Sequence, residues 1–247
     1  MDLGLAGLGA LVTGGNRGIG KAVAAALARE GAQVVLLGRD RATLTTAAAE
    51  VGAAGIVAAD TTDDASVRAA VDEAAALLGR LDVVVNCAAP RALPGQVPGL
   101  AGLDDEDLLR NVDTKVLGYL RVARAAVPHL RRQGGAIVNI SGMNARATGS
   151  IAGSVRNIAV VALTKNLADD LGPDGIAVTC VHPGLTVTER TEGDAAYADL
   201  ASGNSLRRPV SAADVADLVA FLASPRGRLA NGAVITADGG RPGGIWA

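Results

Sequence analysis

The sequence predicts a Rossmann-type, doubly wound parallel sheet of about seven strands flanked by helices, in a single α/β domain spanning residues 1–247. Three observations carry that prediction. Short β-branched runs alternate with longer Ala/Leu-rich stretches from one end of the chain to the other. The runs are almost continuously apolar instead of alternating with a period of two, as strands covered on both faces require. A glycine-rich turn joins the first run to the first helical stretch. With 49% hydrophobic residues over 247 positions, the chain can bury a core large enough for one such domain.

Taken in order, the strands are expected at residues 10–13, 34–37, 56–59, 83–86, 137–140, 177–181 and 233–236, each a compact run such as Val-Val-Leu-Leu or Val-Val-Val-Asn. Helices are expected between them at 20–30, 41–51, 65–78, 104–130, 151–171 and 212–223, several bounded by a glycine where a C-cap falls. Residues 189–208 are polar and weakly periodic, which marks them as a substrate-covering insertion. The net charge of −2 and the 2% aromatic content supply neither a basic footprint nor stacking platforms, so nucleic acid is excluded as a partner. Residues 1–10 lack a basic leader, and no apolar run approaches the roughly 18 to 20 residues that span a bilayer, so the expectation is a cytoplasmic protein with no membrane partner. Cys87 and Cys180 each follow a strand-like run and read as buried reduced thiols; no Cys/His cluster has metal-ligand spacing, so no metal is expected.

The first motif with chemistry in it runs from Thr13 to Gly20 and reads Thr-Gly-Gly-Asn-Arg-Gly-Ile-Gly. Gly14, Gly18 and Gly20 have the Gly-x-x-x-Gly-x-Gly spacing between a strand and a helix. Such a turn lets the backbone approach a pyrophosphate while the helix N-terminus offers N–H donors and a positive dipole end. Further motifs follow in order: Asp60-Thr61 after the third strand, Asn86-Cys87-Ala88-Ala89 after the fourth, and Pro183-Gly184 with Thr186 and Thr188 after the sixth. Arg208-Pro209, Asp214-Val215-Ala216, Phe221-Leu222-Ala223-Ser224 and Asp238-Gly239-Gly240 complete the series.

In that order and spacing, over essentially its whole length, the chain resembles the short-chain dehydrogenase/reductase family. The resemblance implies dinucleotide binding by Gly14, Asn16, Arg17, Gly18, Ile19 and Gly20, with adenine at Asp60 and Thr61. Asn86 and Ala88 stand where the family usually has Asn-Asn-Ala-Gly, in a segment that mainly stabilises the central sheet. Pro183, Gly184, Thr186 and Thr188 match the segment that contacts the nicotinamide and its carboxamide. At the end of the second strand an NAD-specific member carries an acidic residue, whereas this chain has Gly38-Arg39. Arg39 and Arg17 can converge on a 2′-phosphate, which favours NADP(H). Asp40 follows directly, and a one-residue shift of the loop would let it take the ribose and favour NAD(H).

The family's Tyr-x-x-x-Lys pair has no counterpart. The only tyrosines, Tyr119 and Tyr197, are followed four residues on by Ala123 and Ala201. Aligning Thr164-Lys165-Asn166-Leu167-Ala168 with the family's pattern puts Gly153 at the tyrosine and Asn157 at the lysine. In Asn139-Ile140-Ser141-Gly142, Gly142 holds the place of the substrate-polarising serine, and Ser141 substitutes only if the next loop is one residue shorter. The family's helix-four asparagine maps through Gly118 onto Lys115. In that family the tyrosine exchanges a proton with the substrate oxygen, and losing it forfeits roughly 10² to 10⁴ in rate unless another group supplies the proton. Lys115 interrupts the apolar stripe Leu108, Val112, Tyr119, Ala123, so its ammonium points either into the emptied pocket or into water. Lys115, Ser141 and Asn157 are therefore the catalytic candidates. His182, Tyr197, and the substrate-anion candidates Arg146 and Arg156 stand behind them, each with an ordinary structural role as the alternative.

Two classes of function are open to such a chain. One is an NADP(H)-dependent oxidoreductase acting on a small carbonyl or alcohol with a rearranged proton donor. The other uses the pocket without net hydride transfer, as an isomerase, cyclase or lyase, or as a nucleotide-sensing binding protein. The helices at 104–130 and 151–171 carry more apolar positions than one sheet face covers, and in the resembling family they pair across a two-fold axis. A homotetramer, or at least a homodimer, is expected.

Overall fold

The computed structural model describes residues 1–90 and 99–242. Its strands are β1 (Gly9–Thr13), β2 (Gln33–Gly38), β3 (Gly55–Ala58), β4 (Val83–Asn86), β5 (Gly135–Ile140), β6 (Ile176–Pro183), the short β7 (Thr186–Val187) and β8 (Val210–Ser211), and β9 (Val234–Ala237). Seven of them form one sheet in the order β3-β2-β1-β4-β5-β6-β9, with every neighbouring pair parallel. β7 and β8 form a separate parallel pair beyond the end of β6.

The helices are α1 (Gly18–Arg29), α2 (Arg41–Val51), α3 (Asp64–Leu78), α4 (Asp105–Val112), α5 (Gly118–Leu130), α6 (Ile151–Leu171), α7 (Ala195–Ala201) and α8 (Ala212–Ala223). They cover the sheet on both sides. Val12, Leu36, Val85, Val138 and Val181 pack on one face with Val23 and Leu27 of α1, Leu44 of α2 and Val215 and Val219 of α8. Leu11, Val35, Leu37, Val84, Ile137 and Val178 pack on the other with Val67 and Val71 of α3, Val122 and Ala126 of α5, and Leu171 of α6. Alternate residues of one strand thus enter opposite cores, which is why the strands read as unbroken apolar runs. The strand order reverses between β1 and β4, and ligands of such sheets bind in the crevice outside the carboxyl ends of the strands at that point.

The helix expected across residues 104–130 is not uniform. Asp104 caps α4 by accepting from Asp107 N–H, and α4 ends at Val112. A π-helical segment, Asp113–Leu117, then intervenes before α5. Such a segment adds a residue to the turn and rotates the helix downstream of it, and Lys115 lies at its centre. The polar stretch 189–208 contains α7, whose Asp194 cap accepts from Tyr197 N–H.

Candidate active site

At the glycine turn the geometry is set by backbone. Thr13 Oγ accepts from Cys87 N–H and Ala88 N–H at 3.1 and 3.2 Å, tying the exit of β4 to the end of β1. Gly14 has φ +65°, and a Cβ there would lie 3.1 Å from the Ala88 backbone. A Cβ on Gly20 would overlap the carbonyl oxygen of Gly14 and sit 2.8 Å from its carbon. Ile19 packs against the core beneath the loop. Asn16 donates to Thr43 Oγ at 3.0 Å and fastens the loop to α2. Arg17 is the residue before α1 and gives its N-terminus no side-chain bond. Gly18 opens α1 with φ +54°, and its N–H donates to Glu189 Oε1 at 2.6 Å. Asn86 is fully buried and donates to Asn139 Oδ1, while Asn139 Nδ2 donates to Thr164 Oγ, so the two amides brace β4, β5 and α6.

At the end of β2, Arg39 projects with its side chain 73% exposed, and its Nη1 lies 3.9 Å from Asp60 Oδ2. Asp60 also accepts from the N–H and hydroxyl of Thr62, while Thr61 is buried against the carbonyl of Thr114. Asp40 is committed elsewhere: its carboxylate caps α2 by accepting from Thr43 N–H. At the opposite end of the crevice Pro183 ends β6, and a Cβ on Gly184 would lie 2.8 Å from Asp238. Thr186 donates to Gly184 O, and the Thr188 methyl lies 3.7 Å from where a Gly18 Cβ would stand.

Between these ends lies a buried polar cluster. Lys115 is 4% exposed, and its ammonium donates to Ser141 O at 2.9 Å and to Asn157 Oδ1 at 3.0 Å. Of the two orientations left open by the sequence, the inward one is adopted. Burial, reinforced by the Arg156 guanidinium, lowers the Lys115 pKa to about 7. Ser141 Oγ donates to Asn157 O at 3.0 Å, so its proton serves helix α6. Gly142 faces the same amide: a Cβ there would stand 2.9 Å from Asn157 Nδ2. Gly153 lies in the first turn of α6, where its N–H donates to the Ser150 cap, and a Cβ would come within 3.0 Å of Ser150 Oγ.

The remaining candidates are placed less favourably for proton transfer. Tyr119 is buried, its hydroxyl donates to Ile140 O at 2.9 Å, and burial holds its pKa well above the ordinary phenol value. Tyr197 donates to Thr186 O at 3.3 Å. His182 has no exposed surface, and burial, followed by the Arg146 charge, lowers its pKa to about 4, so the imidazole is neutral at pH 7. Arg156 donates to Asn111 Oδ1, while Asn111 donates to Asp107 O and Oδ1. Asp107 also pairs with Arg110, so this network knits α4 to α6. Cys180 is buried, Cys87 is half-buried, and both are free thiols. Sequence reasoning did not find Glu189. Its only local signal is its place directly after Thr188; the contact with Gly18 spans 171 residues.

The fold and motifs have counterparts in known proteins. Residues 14–241 match the family described as enoyl-(acyl carrier protein) reductase. The chain is 33% identical over 248 residues to the short-chain reductase protein NovJ of Streptomyces niveus, covering 94% of this chain and 93% of that one. Among solved structures it resembles L-sorbose reductase from Gluconobacter frateurii in complex with NADPH and L-sorbose, at 28% identity and a TM-score of 0.89 over 99% of this chain and 100% of that one. It also resembles a short-chain dehydrogenase from Burkholderia cenocepacia in complex with NADP, at 34% identity and a TM-score of 0.85 over 97% of this chain and 99% of that one. With these motifs on a seven-stranded parallel sheet, the chain belongs to the short-chain dehydrogenase/reductase family.

Proposed function

We propose that this protein is an NADP(H)-dependent oxidoreductase acting on a small carbonyl or alcohol substrate, with Lys115 as its proton donor and acceptor. One observation carries the reading: Lys115 and Asn157 meet at 3.0 Å with lysine and asparagine exchanged between the positions the family pattern assigns them. The amine is thereby kept in the polar centre, but it is held from the π-helical segment instead of α6. A group with a pKa near 7 is divided between acid and base at neutral pH, as proton transfer to or from a substrate oxygen requires. Asn157 and the Ser141 carbonyl orient Nζ, and Ser141 Oγ, bonded to Asn157 O, is a positioning group.

The residues at the crevice fit the cofactor. Gly18 N–H already holds an anionic oxygen, which is what a pyrophosphate would offer it. NADP(H) is favoured because Arg39, exposed and only loosely paired with Asp60, can reach a 2′-phosphate while the Asp40 carboxylate caps α2. The NADPH and NADP complexes of the two similar structures support the same choice. Bound there, the nicotinamide would supply or accept the hydride. Gly14, Asn16, Arg17, Ile19 and Gly20 would form the phosphate turn, Asp60 and Thr61 the adenine side, and Pro183, Gly184, Thr186 and Thr188 the nicotinamide side. Ala88 shapes the turn by its contact with Gly14, and Asn86 acts through the sheet. Residues 189–208 would cover the substrate.

Lys115→Met should lower NADPH-dependent turnover on a responsive member of a carbonyl panel by about 10² to 10⁴ while leaving the NADPH dissociation constant within about twofold. Unchanged turnover would return Lys115 to a structural role. The same amine can serve as a base without a hydride acceptor, which is the observation behind a second reading as an isomerase, cyclase or lyase. Solvent-deuterium incorporation without nicotinamide turnover would select that reading.

Assembly is suggested by exposed apolar side chains on neighbouring elements: Leu109 of α4, Leu117 beside α5, and Ile151, Val155 and Ile158 of α6. Their burial between copies supports a homotetramer or homodimer, and light scattering at micromolar concentration should return a mass above that of the monomer.

A further inference from the structure

We propose that Glu189 competes with the cofactor's pyrophosphate for the N-terminus of α1, so that nucleotide binding must displace a side chain of the protein itself. The inference rests on the NADP(H) reading above. Gly18 is the first residue of a 12-residue helix, and the first N–H groups of a helix have no partner within it. Arg17 contributes no side-chain cap. The carboxylate of Glu189, 171 residues later, supplies one at 2.6 Å, a short bond from a backbone N–H to an ionisable oxygen.

The positive end of the helix dipole favours an anion at this point, whether carboxylate or phosphate. It cannot serve both fully. Two anions at one N–H repel each other, and the phosphate must approach the loop where glycine leaves the backbone open. Gly18 has φ +54°, and the nearest foreign atom to its missing Cβ is the Thr188 methyl at 3.7 Å. The residue next to Thr188 therefore reaches the turn because that segment already lies against it. Glu189 is otherwise exposed, so no buried packing holds it in place. Its bond to Gly18 lowers the free energy of the cofactor-free protein, and that contribution is subtracted from the cofactor's binding free energy.

The competition is specific to ligands that carry a pyrophosphate. Adenosine 2′-monophosphate offers the adenine and 2′-phosphate ends but nothing for Gly18, so it is the internal control. Calorimetric titration of the wild type, Glu189→Gln and Glu189→Ala with NADPH and with adenosine 2′-monophosphate tests the inference. Glu189→Ala should bind NADPH about tenfold more tightly, with Glu189→Gln intermediate, and neither variant should change the adenosine 2′-monophosphate constant. Equal NADPH affinities in all three proteins would overturn the inference and leave the cofactor reading intact. Equal tightening towards both ligands would also overturn it, because a change of net charge would then explain the effect. Failure of every variant, and of the wild type, to bind NADPH would overturn the cofactor reading and the competition with it.

Discussion

The two halves of the crevice are specified by different physics. Around the glycine turn and the end of β6, the shape depends on side chains that are absent: Gly14, Gly20 and Gly184 are places where a single Cβ would lie closer than van der Waals contact to backbone or Asp238. At the centre, it depends on side chains that are present and partnered, with Lys115, Asn157 and Ser141 linked within 3.0 Å. A backbone-built site tolerates little steric change. A side-chain site can be assembled from residues on different elements, as the meeting of Lys115 and Asn157 illustrates.

The largest effect expected from that contrast lies at the centre. The Lys115 pKa falls from the ordinary 10.5 to about 7 on folding, so between those values the unfolded chain binds more protons than the folded one. Stability must therefore rise with pH from about 7 to about 10.5, and below about 7 the full penalty of a buried ammonium is felt. The change across that window is on the order of 5 kcal/mol if no other group titrates there. Chemical denaturation at a series of pH values should show this rise in the wild type and its loss in Lys115→Met, which should also be the more stable protein at pH 7. A wild-type profile as flat as the variant's would mean that Lys115 is not desolvated.

At the glycine turn the sharpest break is steric. Gly20→Ala places a methyl group against the Gly14 carbonyl, so the turn must open. Overpacking of this kind costs about 1 to 3 kcal/mol, and the distorted loop should weaken NADPH binding more than tenfold. Thermal unfolding and calorimetry measure both. Normal affinity in a destabilised protein would show that the turn can relax without losing its ligand geometry.

The same division separates the features legible in the sequence from those that are not. The sheet is legible because strands covered on both sides must be apolar at every position, and the glycine spacing is legible because a missing Cβ is written directly in the sequence. The break between α4 and α5 is not. Leu108, Val112, Tyr119 and Ala123 fit an uninterrupted helical stripe, and a one-residue π insertion between Val112 and Tyr119 leaves that spacing acceptable. Lys115 and Asn157 can each be identified as departures from the family pattern, but their pairing spans 42 residues and needs the α6 register to be known. Glu189 is illegible for a related reason: nothing near it in sequence distinguishes a solvated carboxylate from one that caps a distant helix.

The smallest effect concerns Arg39, a side-chain charge beside the backbone-set glycine turn. Arg39 is 73% exposed and 3.9 Å from Asp60, too loosely held to matter for the fold. Its replacement should leave stability within about 0.5 kcal/mol, as for surface substitutions away from packed features. Its effect should appear only in the choice of cofactor. Arg39→Asp would place a carboxylate where it repels a 2′-phosphate and can accept from ribose hydroxyls, while Asp40 stays on the α2 cap. Calorimetric titration should show NADPH bound more tightly by the wild type and NADH more tightly by the variant, with each constant moving about tenfold, or about 1.4 kcal/mol. Retention of NADPH preference in Arg39→Asp would move the 2′-phosphate contact to Arg17, which belongs to the glycine turn, and would make cofactor choice part of the backbone-built site as well.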